Sequence, residues 1–548
     1  MRLFHGRQFL FLMGASLVLA AIHLQAAAIS TQKFATHYAL SASGIPPAVL
    51  QNPIPEPWTN PERGPVSNLK IFARERSGAI WLGGDQGAAR FDPKAGHPWD
   101  RWQYFWGRRW LTDNEVQNIQ VDESGSTRQV WVRTKTGVSR IEWRRMTLEE
   151  KAKFFDERIE ARHLRHGLVA DSHLGVAGDV STNVKHDNDN DGLWTAIYLG
   201  AQSYRYAVTR DPDARNKARR ALRAIMRLEE ITGVPGFYAR SFKSKDEPPP
   251  HGGEWHPTPD DQWVWKGDTS SDESVGHYYA YAIYFDLVAD KGEKEQIRQV
   301  VSRMTDYLMR HDYDLIDLDG KPTRWGQWSE RYYQTEEGRY EAPLRSLQLL
   351  SFLKTTHHIT GVAKYDAAYR ERIERGYAEK MRWYRRWPGG GEINFSDDEL
   401  AYLSYEPLLR YEKNSKLRAT YLDGLRFTWS QIRSDMNPLW NYISVASGAV
   451  RMTGAIREES QRTLERIPMD MIQWHTRNSH RRDVQFRPHE DRFRRRELTV
   501  TLAPDERAVA KWNSNPYIPD GGGNGHAEDD GAYFLLPYWM GRHHAWVK

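Results

Sequence analysis

Ser271-Asp272-Glu273-Ser274-Val275-Gly276-His277-Tyr278-Tyr279-Ala280-Tyr281-Ala282-Ile283-Tyr284-Phe285 decides how this chain folds. After its polar start the stretch is apolar or aromatic on nearly every side. The spacing predicts a helix over 274–288 that is buried all round. Downstream, 293–310 sets apolar residues at three- and four-residue spacing among many charges, the pattern of a helix with one covered face. The second helix can shield the first from water.

Outward from this pair the alternation recurs. Covering helices are expected over 147–163, 213–232, 293–310, 365–384, 417–432 and 458–472. Buried ones are expected over 192–208, 274–288, 344–359, 400–411, 439–450 and 531–546. Six buried helices alternating with six covering ones describe an (α/α)6 toroid, so the chain reads as mainly α, with 146–548 as a toroidal domain. A less regular α-solenoid is the alternative.

Four buried helices open on acid-rich starts: Asn190-Asp191-Gly192, Ser271-Asp272-Glu273, Asp397-Asp398-Glu399 and Asp529-Asp530-Gly531. One Ser or Asp suffices to cap a helix, and first-turn acids complement its dipole. These starts carry more polar residues than capping needs. In a toroid the buried helices run parallel, so the starts gather on one face, where neighbouring carboxylates separate one another's pKa values. Asp272, Glu273, Asp398 and Glu399 are the expected catalytic set, because consecutive acids let one cap while the other faces a cavity. Asp191, Asp529 and Asp530 are expected to hold substrate hydroxyls.

Long loops adjoin the same face. Residues 248–266 carry Trp255, Trp263 and Trp265; Arg324-Trp325-Gly326-Gln327-Trp328 follows, then 387–394 ending at Asn394, then Lys511-Trp512-Asn513. Sugars offer flat C–H faces and rims of hydroxyls, which suit tryptophan beside Asn, Asp and Arg. Trp194, His277, Arg324, Trp325, Trp328, Asn394, Trp440 and Trp512 therefore complete the expected substrate-binding set. The competing reading has these tryptophans pinning loops to the ring.

Acid-headed buried helices in alternation make 146–548 resemble the (α/α)6 class of glycoside hydrolases and polysaccharide lyases. The resemblance is architectural and implies a carbohydrate substrate; no family's catalytic positions are carried over.

Upstream, Ala79-Ile80-Trp81-Leu82-Gly83-Gly84 and Val130-Trp131-Val132-Arg133-Thr134 each begin a strand, a Gly-containing turn and a second strand. These copies resemble repeats of the two-component regulator propeller type, and two are too few to close a propeller. A small β unit over 67–143 is expected, preceded by a Pro-rich extended segment over 29–66. Residues 1–28 read as a secretory signal: basic Arg2 and Arg7, an apolar run, then Ala26-Ala27-Ala28. A periplasmic or secreted protein, with no membrane span after cleavage, is the expectation.

The chain has no cysteine, which excludes disulfides, thiolate nucleophiles and thiolate metal sites. Its net charge of +5 over 548 residues, with no concentrated basic arm, argues against nucleic acid. The basic stretch 481–496 is interrupted by acids and reads as a solvated structural segment. Asp187-Asn188-Asp189-Asn190-Asp191-Gly192 opens like a calcium loop, but its twelfth position is Tyr198, not Glu; no metal or cofactor is expected. Glycoside hydrolysis by two carboxylates is the first functional reading. A lyase acting on a uronic-acid glycan, using His277, Tyr278, Arg324 or Arg345, is the second, and a non-catalytic glycan-binding or sensory protein the third.

Overall fold

The computed structural model describes residues 29–53, 62–247, 252–386, 394–491, 493–509, 511 and 513–547. The expected signal over 1–28 and Trp512 lie outside the described residues. Among the described residues, twelve helices of nine residues or more alternate between covering and buried. The covering ones are α1 (Leu148–Arg162), α3 (Pro212–Glu230), α5 (Lys291–Arg310), α7 (Ala363–Glu374), α9 (Ser415–Ile432) and α11 (Gly454–Arg466). The buried ones are α2 (Asp191–Thr209), α4 (Ser271–Leu287), α6 (Glu336–Thr360), α8 (Phe395–Tyr411), α10 (Pro438–Ala446) and α12 (Ala532–His543).

Local chemistry starts these helices where they start. Thr147 with Glu150, and Asp290 with Glu293, form capping boxes on α1 and α5. Asn437 caps α10, and Pro438 fills its first position. Two starts differ most from expectation, α6 beginning at Glu336 rather than 344 and α8 at Phe395 rather than 400, and the covering helix expected over 365–384 ends at Glu374. Thr335 and Asn394 cap α6 and α8, so the polar residues ahead of each apolar run belong to the helices.

The buried helices close a ring. α2 packs on α4, α4 on α6, α6 on α8, α8 on α10, α10 on α12, and α12 returns to α2. Their C-terminal ends meet at one pole. There Tyr204 of α2 donates to Glu406 of α8, Tyr411 of α8 donates to Asp286 of α4 at 3.0 Å, and His358 of α6 stands 3.0 Å from the same Asp286. Helices sharing one pole at their C-termini present their N-termini at the other. Among the described residues no helix is long and apolar enough to cross a membrane.

The β unit is larger than expected. Ile29–Tyr38, expected to be part of a Pro-rich extended segment, is strand β1; β2 to β8 are Ile71–Arg74, Ile80–Gly84, Gly87–Phe91, Trp102–Phe105, Val116–Asp122, Gln129–Thr134 and Val138–Thr147. They make two four-stranded sheets, β2-β3-β4-β5 and β1-β8-β7-β6, which share a core containing Trp81, Phe105, Val132 and Trp143. β1 pairs antiparallel with β8 from Ile29↔Thr147 to Tyr38↔Val138 and covers what would be an open edge. The unit is tied to the ring by Lys151 of α1. Its buried ammonium donates to Gln32 of β1 at 2.7 Å and to the α11 C-terminal carbonyls of Leu464 and Glu465 at 2.9 and 3.0 Å.

Candidate active site

At the N-terminal pole, inner-helix dipoles and free first-turn N–H groups converge. A cavity of about 1500 Å³ opens there, walled by the first turns of α4, α6 and α8, by the turn before α10 and by residues from 487–491, 493–509 and 513–522. Which acid of each run faces it follows from helix geometry, since successive residues point about 100° apart.

On α4, Ser270 is the cap, accepting from the Asp272 N–H at 3.2 Å. Asp272 then lies half-buried on the cavity wall, while Glu273 turns into the ring and is fully buried. On α8, Asn394 caps through the Ser396 N–H at 3.2 Å, and Asp397 reaches the cavity wall. Asp398 points sideways into a buried pair with Arg385, whose Nε donates at 2.6 Å, and accepts from the Tyr384 hydroxyl at 2.8 Å. Glu399 is fully buried away from the cavity wall, with no hydrogen-bond partner for either oxygen among the described residues. Of the four expected catalytic carboxylates, only Asp272 stands on the cavity wall. Its cavity-facing neighbour on α8 is Asp397.

The electrostatics follow from burial. Burial raises Asp272 above the usual carboxylate range, with Arg240 opposing. Burial pushes Asp397 up to about 7; Arg345 opposes, and the charges of Glu341, Asp398 and Asp272 add to the rise. Asp435, on the wall just before α10, is likewise pushed up to about 7 by burial, although the Tyr517 hydroxyl donates to it at 2.8 Å. Glu273 and Glu399 are pushed up to about 8, chiefly by burial, so both carry protons at neutral pH. In the orientation that satisfies both ends of its amide, Asn190 donates to Glu273 at 3.2 Å.

Several residues expected to bind substrate are parts of the core. Asp191 is buried against Arg165 at 2.9 Å, and burial pushes it up to about 7. His277 is buried with Nδ1 2.6 Å from the Glu273 carbonyl, and burial lowers its pKa to about 4. Trp194 is buried under the Lys511 ammonium, 3.5 Å from its ring centroid, and Lys511 pairs with Asp530 at 3.1 Å. Asp530 also accepts from the Ala532 N–H at the start of α12, while Asp529 accepts from Gln473 at 2.8 Å. Trp328 is buried and donates to Gln348 at 2.9 Å; Trp440 is buried and stacked on Tyr402. Asn394 and Trp325 do line the cavity, and exposed Arg324 lines a smaller one beside it. Lys266 pairs with Asp189 and lies 3.8 Å from Asp187 in the calcium-like loop. Among the described residues no group of three or more His, Asp or Glu side chains could hold a metal ion.

Other wall residues were missed by sequence reasoning. Tyr340, Trp383 and Phe493 are 58, 47 and 62% exposed, and all three line the cavity. They are the only aromatics among the exposed large hydrophobic residues of the described chain. The basic stretch expected to be a solvated structural segment is mostly exposed or half-buried; its Phe486–Glu490 pairs antiparallel with Arg496–Leu498 beside the cavity. Asp435 had a signal: Asn437-Pro438 behind it marks a helix start.

No family model matches the chain, and no curated protein sequence does. Among solved structures it is similar to a single-residue variant of a thermostable endoglucanase from Alicyclobacillus acidocaldarius, at 12% identity and a TM-score of 0.39, over 86% of this chain and 98% of that one. It is similar to AaCel9A in complex with cellobiose-like isofagomine, at 12% identity and a TM-score of 0.40, over 86% and 97% of the two chains. A metagenome-derived glycoside hydrolase family 9 endoglucanase matches at 12% identity and a TM-score of 0.33, over 95% and 99%. Likenesses at this level assign neither family nor activity.

Proposed function

We propose that the protein is an exported glycoside hydrolase, that its helical ring is an (α/α)6 toroid, and that the N-terminal cavity cleaves a glycosidic bond with Asp397 as proton donor and Asp272 as base or nucleophile. The observation that carries this reading is that two half-buried first-turn carboxylates and three exposed aromatic rings share one cavity. The basic-then-apolar N-terminus supports export.

Hydrolysis needs one carboxyl that still holds a proton and one that has lost it. With a pKa near 7, Asp397 is largely protonated at slightly acid pH and can donate to the leaving oxygen. Arg240 favours the ionised form of Asp272, which can then activate water or attack the anomeric carbon. Tyr340 and Trp383 offer exposed rings to sugars on the cavity wall, and Phe493, with the Arg495 guanidinium 4.9 Å from its ring centroid, can offer its other face.

The test is incubation with neutral and uronic glycans while new reducing ends and absorbance of unsaturated uronates are followed. Reducing ends without that absorbance, lost in Asp397→Asn and Asp272→Asn, are expected. Beta-elimination on a uronic-acid glycan is the second reading; it is supported by cavity-wall Arg240 and Arg507, whose acceptors include the carbonyls of Asp268 and Leu502 and, among the described residues, no carboxylate in ion-pair contact. Unsaturated-uronate absorbance would select it.

A further inference from the structure

Beside the main cavity lies a smaller one of about 360 Å³, and Asp189, Arg240 and Trp325 line both. The partition between them is a built structure. Trp325 sits on the strand Pro322–Gln327, with the Arg324 guanidinium 4.5 Å from its ring centroid. The Arg324 N–H donates to Asp268 Oδ1 at 2.8 Å, and the Asp268 N–H donates to Asp317 at 2.6 Å. Arg240, only 8% exposed, donates through Nε to the Asp268 carbonyl at 2.6 Å and through Nη1 to the Asp189 carbonyl at 3.2 Å. These bonds fix the guanidinium and leave Nη2 without a protein acceptor among the described residues, at the junction of the two spaces.

We infer that the smaller cavity is an outer subsite for the same glycan, that the chain crosses Trp325 to reach it, and that the glycan is neutral. This rests on the proposed carbohydrate function and deepens it. The main cavity already exceeds the range of roughly 300–1,000 Å³ that suits a small ligand, so a single sugar would leave most of it empty. Trp325 offers one flat face to a sugar ring at the crossing, and Arg240 Nη2 offers a rigid donor to its hydroxyls. Beyond the crossing, five carboxylates and three cations line the smaller space. The carboxylates of Glu254 and Asp319 are 54 and 47% exposed, able to accept from hydroxyls. A uronate there would meet a net negative wall, whereas a neutral sugar meets acceptors.

Calorimetric titration of the Asp397→Asn protein with oligosaccharide ladders of increasing length tests this, using β-1,4-glucan, β-1,4-xylan, β-1,4-mannan, α-1,4-glucan and oligogalacturonate. A neutral ladder is expected to bind and to tighten with length. Both Trp325→Ala and Glu254→Trp, the latter plugging the smaller cavity from an exposed position, should weaken the longest members about fivefold and leave the shortest unchanged. Length dependence intact in both variants would overturn the outer subsite and leave the carboxylate site standing. Oligogalacturonate as the tightest ladder, weakened by both variants, would overturn the neutral glycan. Failure of every ladder to bind would overturn the carbohydrate reading itself.

Discussion

At one pole of the ring Asp286 accepts from Tyr411, stands 3.0 Å from His358 and lies 3.7 Å from Arg410; at the other, Asp272 and Asp397 face a cavity. All three carboxylates sit on inner helices, α4 and α8, and burial pushes each upward. At the C-terminal pole that push is overcome: His358, Arg410 and Tyr411 hold Asp286 below the usual carboxylate range. At the N-terminal pole it prevails, and Asp397 rises to about 7. The residue type is the same; what differs is whether partners satisfy it. The closed pole holds the ring together, and the open one leaves Asp272 and Asp397 on the cavity wall, where the proposed chemistry needs them.

Exchanging one atom at the open pole is expected to have the largest effect. If the proposed hydrolysis holds, Asp397→Asn should lower kcat about 10²- to 10⁴-fold on the glycan cleaved, with an unchanged melting temperature. Its neighbour should behave oppositely. Asp398→Asn strips the buried Arg385 of its carboxylate charge and should cost about 3–5 kcal/mol in denaturant unfolding. Equal effects of the two substitutions on both readouts would break the distinction between wall and core.

Much of this was legible in the sequence, and what was not has a physical cause. The alternation of buried and covering helices reads directly from periodicity, because a helix apolar on all sides has only one place to go. The acid-rich starts were legible too. Which acid in each run faces the cavity was not, because the direction of a side chain depends on where its helix begins. Asn394 starts α8 five residues before the apolar run does, which turns Asp397, and not Asp398 or Glu399, to the wall. Trp328 and Trp440 look like sugar platforms in composition, yet the ring packing takes both into the core. Strand β1 was hidden for a different reason: its partner β8 lies a hundred residues away.

At the closed pole, Glu406→Ala removes the acceptor of Tyr204 and the partner of Arg410. About 2 kcal/mol of stability should go, reduced by the partial exposure of Arg410, with kcat intact. A fall in kcat without loss of stability would erase the contrast between the poles. The smallest effect belongs to Glu399→Gln. Its carboxyl is neutral at pH 7, so the amide is a close substitute, and both activity and stability should change little. A large loss of activity would make Glu399 a catalytic participant and sharpen the map of the open pole.

The most direct measurement is the pH dependence of kcat/KM for wild type and Asp397→Asn on a cleaved neutral glycan. A proton donor works in its protonated form, so activity should fall tenfold per pH unit above a pKa near 7, and the residual activity of Asp397→Asn should lack that limb. A wild-type activity that rises through pH 7, or a falling limb that survives in Asp397→Asn, would contradict the account.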